Sequence, residues 1–269
     1  MASKQSIAPN IRSRAIATAC LMFLGVSPVL AQTDSSTAQD QWQFSGAIYV
    51  WGAGMGGQTI GGSAVEFTFS DLLDNLELGG MGAFAARKNK WSVLSDIIYL
   101  GLGTNKTVEL SVPVGPVQLP VTTRVNLDVD GWVLHAVAGY ELYSDGGSRL
   151  DLIGGARFLD LSMDMFLELQ SLGPGQSRTI SESLTTFDGI VGLTGLASLG
   201  ENWFLPYYVD VGAGDSKMTW QATAGVGYRA GSSWDLALVY RHLEWDFDSA
   251  GIVDDMNFSG PAFGVIFRW

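Results

Sequence analysis

The chain ends on Gly260-Pro-Ala-Phe-Gly-Val-Ile-Phe-Arg-Trp269, and this stretch constrains the fold more than any other. Phe263, Val265, Phe267 and Trp269 fall on one parity, with Ala262, Gly264, Ile266 and Arg268 between them. Period-two alternation puts successive side chains on opposite faces of a strand, so one face here meets an apolar medium and the other does not. The stripe runs to Trp269, and we expect its cover to come from outside the chain.

Composition agrees with a strand-built protein. Gly is abundant at 34 residues, charged residues are only 16% and aromatics reach 11%, which suits many turns, an uncharged surface and a ring of Trp and Tyr. Beyond residue 31 no apolar run approaches the ~18–20 residues that a membrane helix needs. Only helices and closed barrels satisfy every backbone polar group in lipid. A membrane location would therefore require strands.

The first 31 residues read as a secretory signal. Lys4, Arg12 and Arg14 form a basic start, Ala15 to Leu30 is a short apolar segment broken by Pro28, and Val29-Leu30-Ala31 offers a small-residue cleavage pattern. We expect the cut after Ala31, a flexible lead over 32–40 and one domain over 41–269. Cys20, the sole cysteine, precedes the end of the apolar segment and follows Ala17-Thr18-Ala19 rather than a lipobox Leu, so lipidation is not expected. Cleavage would remove the only thiol and three positive charges from a chain already at net −12. That acidity excludes nucleic acid as a partner.

Taken in order, the mature sequence yields ten strand patterns, with eight as the alternative count. The opening one runs from Gln41 to about Gly54, with Trp42, Phe44, Ile48 and Val50 on one parity. A long connection follows, in which Ser70 and Asp71 suggest the N-cap and first turn of a single helical turn. Further strands start near Leu76, Trp91, Val117, Arg149, Arg178, Trp203, Met218 and Trp234, and the terminal strand closes the set. The third and fourth should extend beyond the membrane as a hairpin around Gly115-Pro116. Turns near 87–90, 144–148, 200–202 and 230–232 are short and the others mostly longer. Transmembrane barrels show this asymmetry, with short turns on the periplasmic side. Trp42, Trp91, Trp203, Trp234 and Trp269 then fall at one level, an expected interfacial girdle.

Taking the apolar parity as outward directs Arg87, Asp96, His135, Glu141, Arg157, Asp188, Asp210, Arg229, Asp235 and Arg241 into the lumen. Unpaired buried charge is prohibitive, so these groups should pair with one another, or line a polar path or small-solute site. Ten strands leave little free bore, because eight are already filled by side chains. His135 and His242 are the only candidate bases at neutral pH. His135 falls mid-strand in the lumen and His242 on the outward parity, with Asp246, Asp248, Asp254 and Asp255 near it in sequence. There is no Gly-x-Ser-x-Gly nucleophile turn and no metal-spaced His/Cys cluster. We therefore expect neither an enzyme nor a bound metal or cofactor.

Several segments carry a resemblance to a known group. These are the tryptophan-led opening strand, Phe69-Ser-Asp-Leu-Leu-Asp-Asn-Leu76, Ala86-Arg-Lys-Asn-Lys-Trp91, Trp220-Gln-Ala-Thr-Ala-Gly-Val-Gly-Tyr-Arg229, Tyr240-Arg-His-Leu243 and the terminal strand. Together they resemble small bacterial outer-membrane β-barrels of the porin-like superfamily that includes the OmpA and OmpW types. The Ser-Asp-Leu-Leu-Asp-Asn segment is similar to one shared by largely uncharacterised members. The resemblance implies an all-β, closed, antiparallel up-and-down barrel in the bacterial outer membrane. Its partners would be outer-membrane lipid and lipopolysaccharide, periplasmic chaperones, and the assembly machinery that reads a last strand like Phe263, Val265, Phe267 and Trp269. We expect a monomer. Unlike in the OmpA type, we expect no peptidoglycan-binding domain, and the expected ten strands depart from eight. The expected role is a narrow porin-like or structural envelope protein that passes or binds small solutes. The alternatives are a lipid- or peptide-hydrolysing barrel and a surface protein that binds through its loops.

Overall fold

The computed structural model describes residues 41–59, 64–67, 76–114, 117–169, 177–247 and 253–269. In chain order the strands are β1 (Gln43–Trp51), β2 (Gly54–Thr59), β3 (Ala64–Phe67), β4 (Leu76–Lys88), β5 (Trp91–Val114), β6 (Val117–Asp145), β7 (Ser148–Leu169), β8 (Ser177–Ser198), β9 (Trp203–Gly214), β10 (Met218–Arg229), β11 (Trp234–Asp246) and β12 (Val253–Arg268). Each from β4 to β12 pairs antiparallel with the next, and β1 pairs with both β4 and β12. The result is a closed ring of ten strands, with β2 and β3 added beside the far end of β12. Where the ring is paired, closure removes the free edges that a sheet would otherwise present to lipid.

The terminal strand makes that closure. Gly46, Ile48 and Val50 stand opposite Phe267, Val265 and Phe263, and Phe44 and Trp269 exchange backbone hydrogen bonds of 3.0 Å. The short turns have the residues their geometry demands. Asn89 takes φ 53°, and Gly146 and Gly147 take φ 57° and 82°, the left-handed pair that a two-residue hairpin turn uses. β5 and β6 stay paired out to Val114 and Val117, forming the expected extended hairpin.

The opening strand departs from the expected single run to Gly54. It breaks at Gly52-Ala53, and β1 and β2 follow β12 in succession, with Trp51 opposite Ala262 and then Gly54 opposite Ser259. β4 accompanies β1 only from Gln43–Arg87 to Ile48–Gly82, after which β2 pairs with β3 instead. Two glycines permit the break: a Cβ at Gly260 would lie 2.0 Å from the Gly52 carbonyl oxygen. The expected signal segment and lead (1–40) and the expected helical turn, apart from Leu76, lie outside the described residues.

The two faces differ as the alternation requires. Ile48 and Val50 are 72% and 69% exposed, and Phe84, Trp132, Phe187, Val209, Leu238 and Phe263 also face outward. All five girdle tryptophans are exposed near the short-turn end, where Trp91 packs on Tyr140 at 5.0 Å and Trp203 on Tyr228 at 4.9 Å. A bulge between Glu141 and Tyr143 shifts the register of β6, leaving Leu142 and Tyr143 both exposed while Arg87 reaches Glu141. Inside, an apolar cluster of Trp51, Ile98, Leu159, Leu243, Trp245 and Met256 occupies the half away from the short turns.

Candidate lumen site

The charged residues of the lumen fall into two levels set by their distance from the short turns. Near those turns, Arg87 contacts Glu141 at 3.2 Å and also Asp151, which Arg149 approaches at 3.5 Å. Arg268 pairs with Asp235 at 2.8 Å. Arg229 donates to the Glu201 carbonyl oxygen at 3.0 Å, with its guanidinium 5.6 Å from the Phe204 ring.

Midway up, one chain of hydrogen bonds crosses the lumen. Tyr49 of β1 donates to Asp96 of β5 at 2.6 Å, and Arg241 of β11 donates to the other Asp96 oxygen at 2.6 Å. Arg241 also donates to Gln221 of β10 at 2.8 Å, and the same amide oxygen lies 3.4 Å from Arg157 of β7. Arg157 then donates to Asp210 of β9 at 2.5 Å and to Thr219 at 2.8 Å. Tyr208 donates to the same Asp210 oxygen at 2.6 Å and lies 2.7 Å from Nε2 of His135 on β6. A hydroxyl has one proton to donate, so with that proton on Asp210 the His135 Nε2–H donates to Tyr208. Nδ1 is then the ring nitrogen with no hydrogen-bond partner. Seven of the ten strands contribute to this belt.

Both guanidinium groups of the belt lie under aromatic rings of the apolar half. Arg241 is 4.8 Å from the Trp51 ring centroid and Arg157 is 5.9 Å from that of Trp245, within the range of cation–π attraction. Arg157 and Trp245 are each 0% exposed. The belt therefore has paired charge within it and an apolar layer on one side.

The structure brings Asp96, His135, Arg157, Asp210 and Arg241 into one network, keeps Arg87 and Arg229 apart at the short-turn end, and leaves Asp188 separate. Asp188 stands opposite Arg157 in register, yet its recorded hydrogen bond is with the backbone N–H of Ser216 at 2.9 Å. Charge alone did not reveal the neutral members Tyr49, Tyr208, Thr219 and Gln221. Their inward parity was legible, but nothing in the sequence marks which inward polar residue bridges which pair. His242 faces outward as expected, its ring tilted against Trp220 at 4.5 Å. Its recorded partner is Glu244 at 2.8 Å, not one of the nearby aspartates, because Glu244 shares its parity two residues along the same strand. Among the described residues no group of three or more acidic, His or Cys side chains is arranged to hold a metal.

A closed antiparallel ring with an apolar outer band, an aromatic girdle and a paired polar interior is a transmembrane β-barrel, and its place is the bacterial outer membrane. No family model matches the chain, and no curated protein matches it. Among solved structures it is similar to the translocator domain of autotransporter NalP from Neisseria meningitidis, at 15% identity over 87% of this chain and 92% of that one, with a TM-score of 0.44. It is also similar to the outer membrane protease OmpT from Escherichia coli (11% identity, 86% and 97% covered, TM-score 0.46). A third likeness is to Ail, the attachment invasion locus protein of Yersinia pestis (11%, 85% and 98%, TM-score 0.38). The fold assignment rests on the closed hydrogen-bonded ring and not on these likenesses.

Proposed function

We propose that the protein is a structural envelope barrel whose lumen is sealed at rest, rather than a standing pore. One observation carries this reading: the belt from Tyr49 to His135 crosses the lumen directly beneath a packed apolar layer, with Arg157 and Trp245 both inaccessible to solvent. Of the two roles expected from the sequence, a narrow porin and a structural barrel, the packed interior favours the second. In this reading the interior charges hold the wall together and no residue is given a catalytic role; His242 belongs to the outer surface with Trp220 and Glu244. The resemblance to OmpA- and OmpW-type barrels enters as fold and location only. The barrel would act as a monomer, held by lipid and lipopolysaccharide, delivered by periplasmic chaperones and inserted by machinery that reads Phe263, Val265, Phe267 and Trp269.

Planar-bilayer recording of the refolded protein tests the reading. The expected result is a membrane no more conductive than a protein-free control. Regular, reproducible single-channel steps from the wild-type protein would overturn it in favour of the narrow porin.

A further inference from the structure

The wall of the barrel is incomplete on one side. β1 and β4 stay paired only as far as Ile48 and Gly82, while β1 and β2 continue along β12 and β4 continues along β5. The strands part here, and a cavity of about 230 Å³ lies behind the seam. Inward-facing side chains line it, among them Trp51, Met81, Ile98, Leu159 and Phe258. Val50 and Gly80, on the two sides of the seam, line it as well. With no β1–β4 pairing beyond Ile48 and Gly82 to close the wall, the cavity opens between these two strands.

Position and chemistry say what fills it. From Trp42 in the girdle to Tyr49 at the start of the seam is seven residues, which at ~3.3 Å each and a tilt of ~40° is roughly 18 Å of height. The apolar band of such barrels is ~25 Å tall, so the seam opens into the hydrocarbon of the outer leaflet. The lining is almost wholly apolar. The nearest polar groups, the Tyr49 hydroxyl and the Arg241 guanidinium, are already bonded to Asp96 and to each other. An apolar cavity of ~150 Å³ already takes benzene, so this one has room for a short length of hydrocarbon chain.

We propose that this cavity is a lateral binding site for an acyl chain of an outer-leaflet lipid, which enters between β1 and β4 and seats its end against Trp51, Met81 and Leu159. This goes beyond the sealed-barrel reading and does not depend on it, since the chain comes from the side and not along the lumen.

Photocrosslinking tests it. The protein is reconstituted in nanodiscs of phosphatidylcholine carrying a diazirine near the acyl-chain end, irradiated and mapped by mass spectrometry. Adducts are expected on inward Met81, Leu159 or Phe258 as well as on outward Phe84 and Val93. The Gly80→Phe variant should lose most of the inward adducts and keep the outward ones. Its side chain has room, since a Cβ at Gly80 meets nothing within 4 Å. Adducts confined to outward residues, or inward adducts unchanged by Gly80→Phe, would overturn the proposal. A parallel arm adds a free diazirine fatty acid to unlabelled nanodiscs. Inward labelling by the free acid alone would replace the lipid with a free fatty acid as the occupant. Heat-modifiable migration of Gly80→Phe confirms that the variant is folded before its adducts are read.

Discussion

Replacing Arg157 by Ala is the sharpest probe of the lumen belt. The guanidinium is wholly inaccessible and bonds Asp210, Thr219 and Gln221. Its loss leaves the Asp210 carboxylate with the Tyr208 hydroxyl as its remaining recorded donor. Removing one partner of a buried pair costs about 3–5 kcal/mol, mostly from the charge left uncompensated. Removing both charges while filling the space is far milder, and often near neutral. Arg157→Ala should therefore lower unfolding free energy by about 3–5 kcal/mol, whereas Arg157→Met with Asp210→Leu should recover most of that loss. Urea unfolding of the refolded protein in lipid vesicles, followed by tryptophan fluorescence, measures both, with the midpoint falling at an unchanged slope. A loss below about 1 kcal/mol for Arg157→Ala would mean that water reaches Asp210, in the range of an exposed ion pair. The belt would then not be sealed.

Two further substitutions probe closure and wall packing. Trp269 stacks on Phe44 at 6.3 Å and packs tilted against Phe84 at 6.5 Å, so Trp269→Ala removes two aromatic contacts worth about 0.5–1.5 kcal/mol each. It should lower the folded, heat-modifiable fraction recovered from membranes; an unchanged fraction would argue against the terminal aromatic as an assembly signal. In the wall, a Cβ at Gly192 would sit 2.0 Å from the Val209 carbonyl oxygen, whereas one at Gly80 meets nothing within 4 Å. Gly192→Ala should lower the urea midpoint and Gly80→Ala should not, and equal effects would contradict this strand packing.

Much of this barrel is visible in the alternation of its sequence, for a definite reason. A strand exposed to lipid on one face must keep large apolar groups on one parity, so Phe263 to Trp269, Leu205 to Val211 and Trp220 to Tyr228 declare their outward faces directly. The inward faces are less explicit. They are polar or small at many positions, and register alone decides which meet. Arg157 and Asp188 are register neighbours, yet the guanidinium reaches past β8 to Asp210 on β9 instead. That choice depends on barrel diameter and side-chain reach, which no single strand encodes. The division of the opening strand was hidden for a related reason. The Gly54-Met-Gly-Gly57 run reads as an ending, but glycines that weaken a strand, Gly52 among them, also let its backbone approach Gly260 and carry on past it.

A lumen sealed in the proposed way would hold two barriers in series, and their different chemistry makes them separable. The belt blocks by filling space with paired charge, and polar groups of this kind tolerate water once a gap opens. The layer above blocks by excluding water altogether, because an apolar cavity of modest size stays dry. Removing Trp245 alone vacates space in the apolar layer but leaves the Arg157–Asp210 and Arg241–Asp96 pairs across the bore. Removing Arg157 alone loosens the belt beneath an intact cap of Leu159, Leu243 and Trp245. Neither single substitution should give channel steps in a planar bilayer, although each should destabilise the protein. The double variant Arg157→Ala, Trp245→Ala joins the two gaps at the point where guanidinium and indole stack, and should conduct. Steps from either single variant would show that only one barrier is real, and a silent but folded double variant would place the seal elsewhere along the lumen.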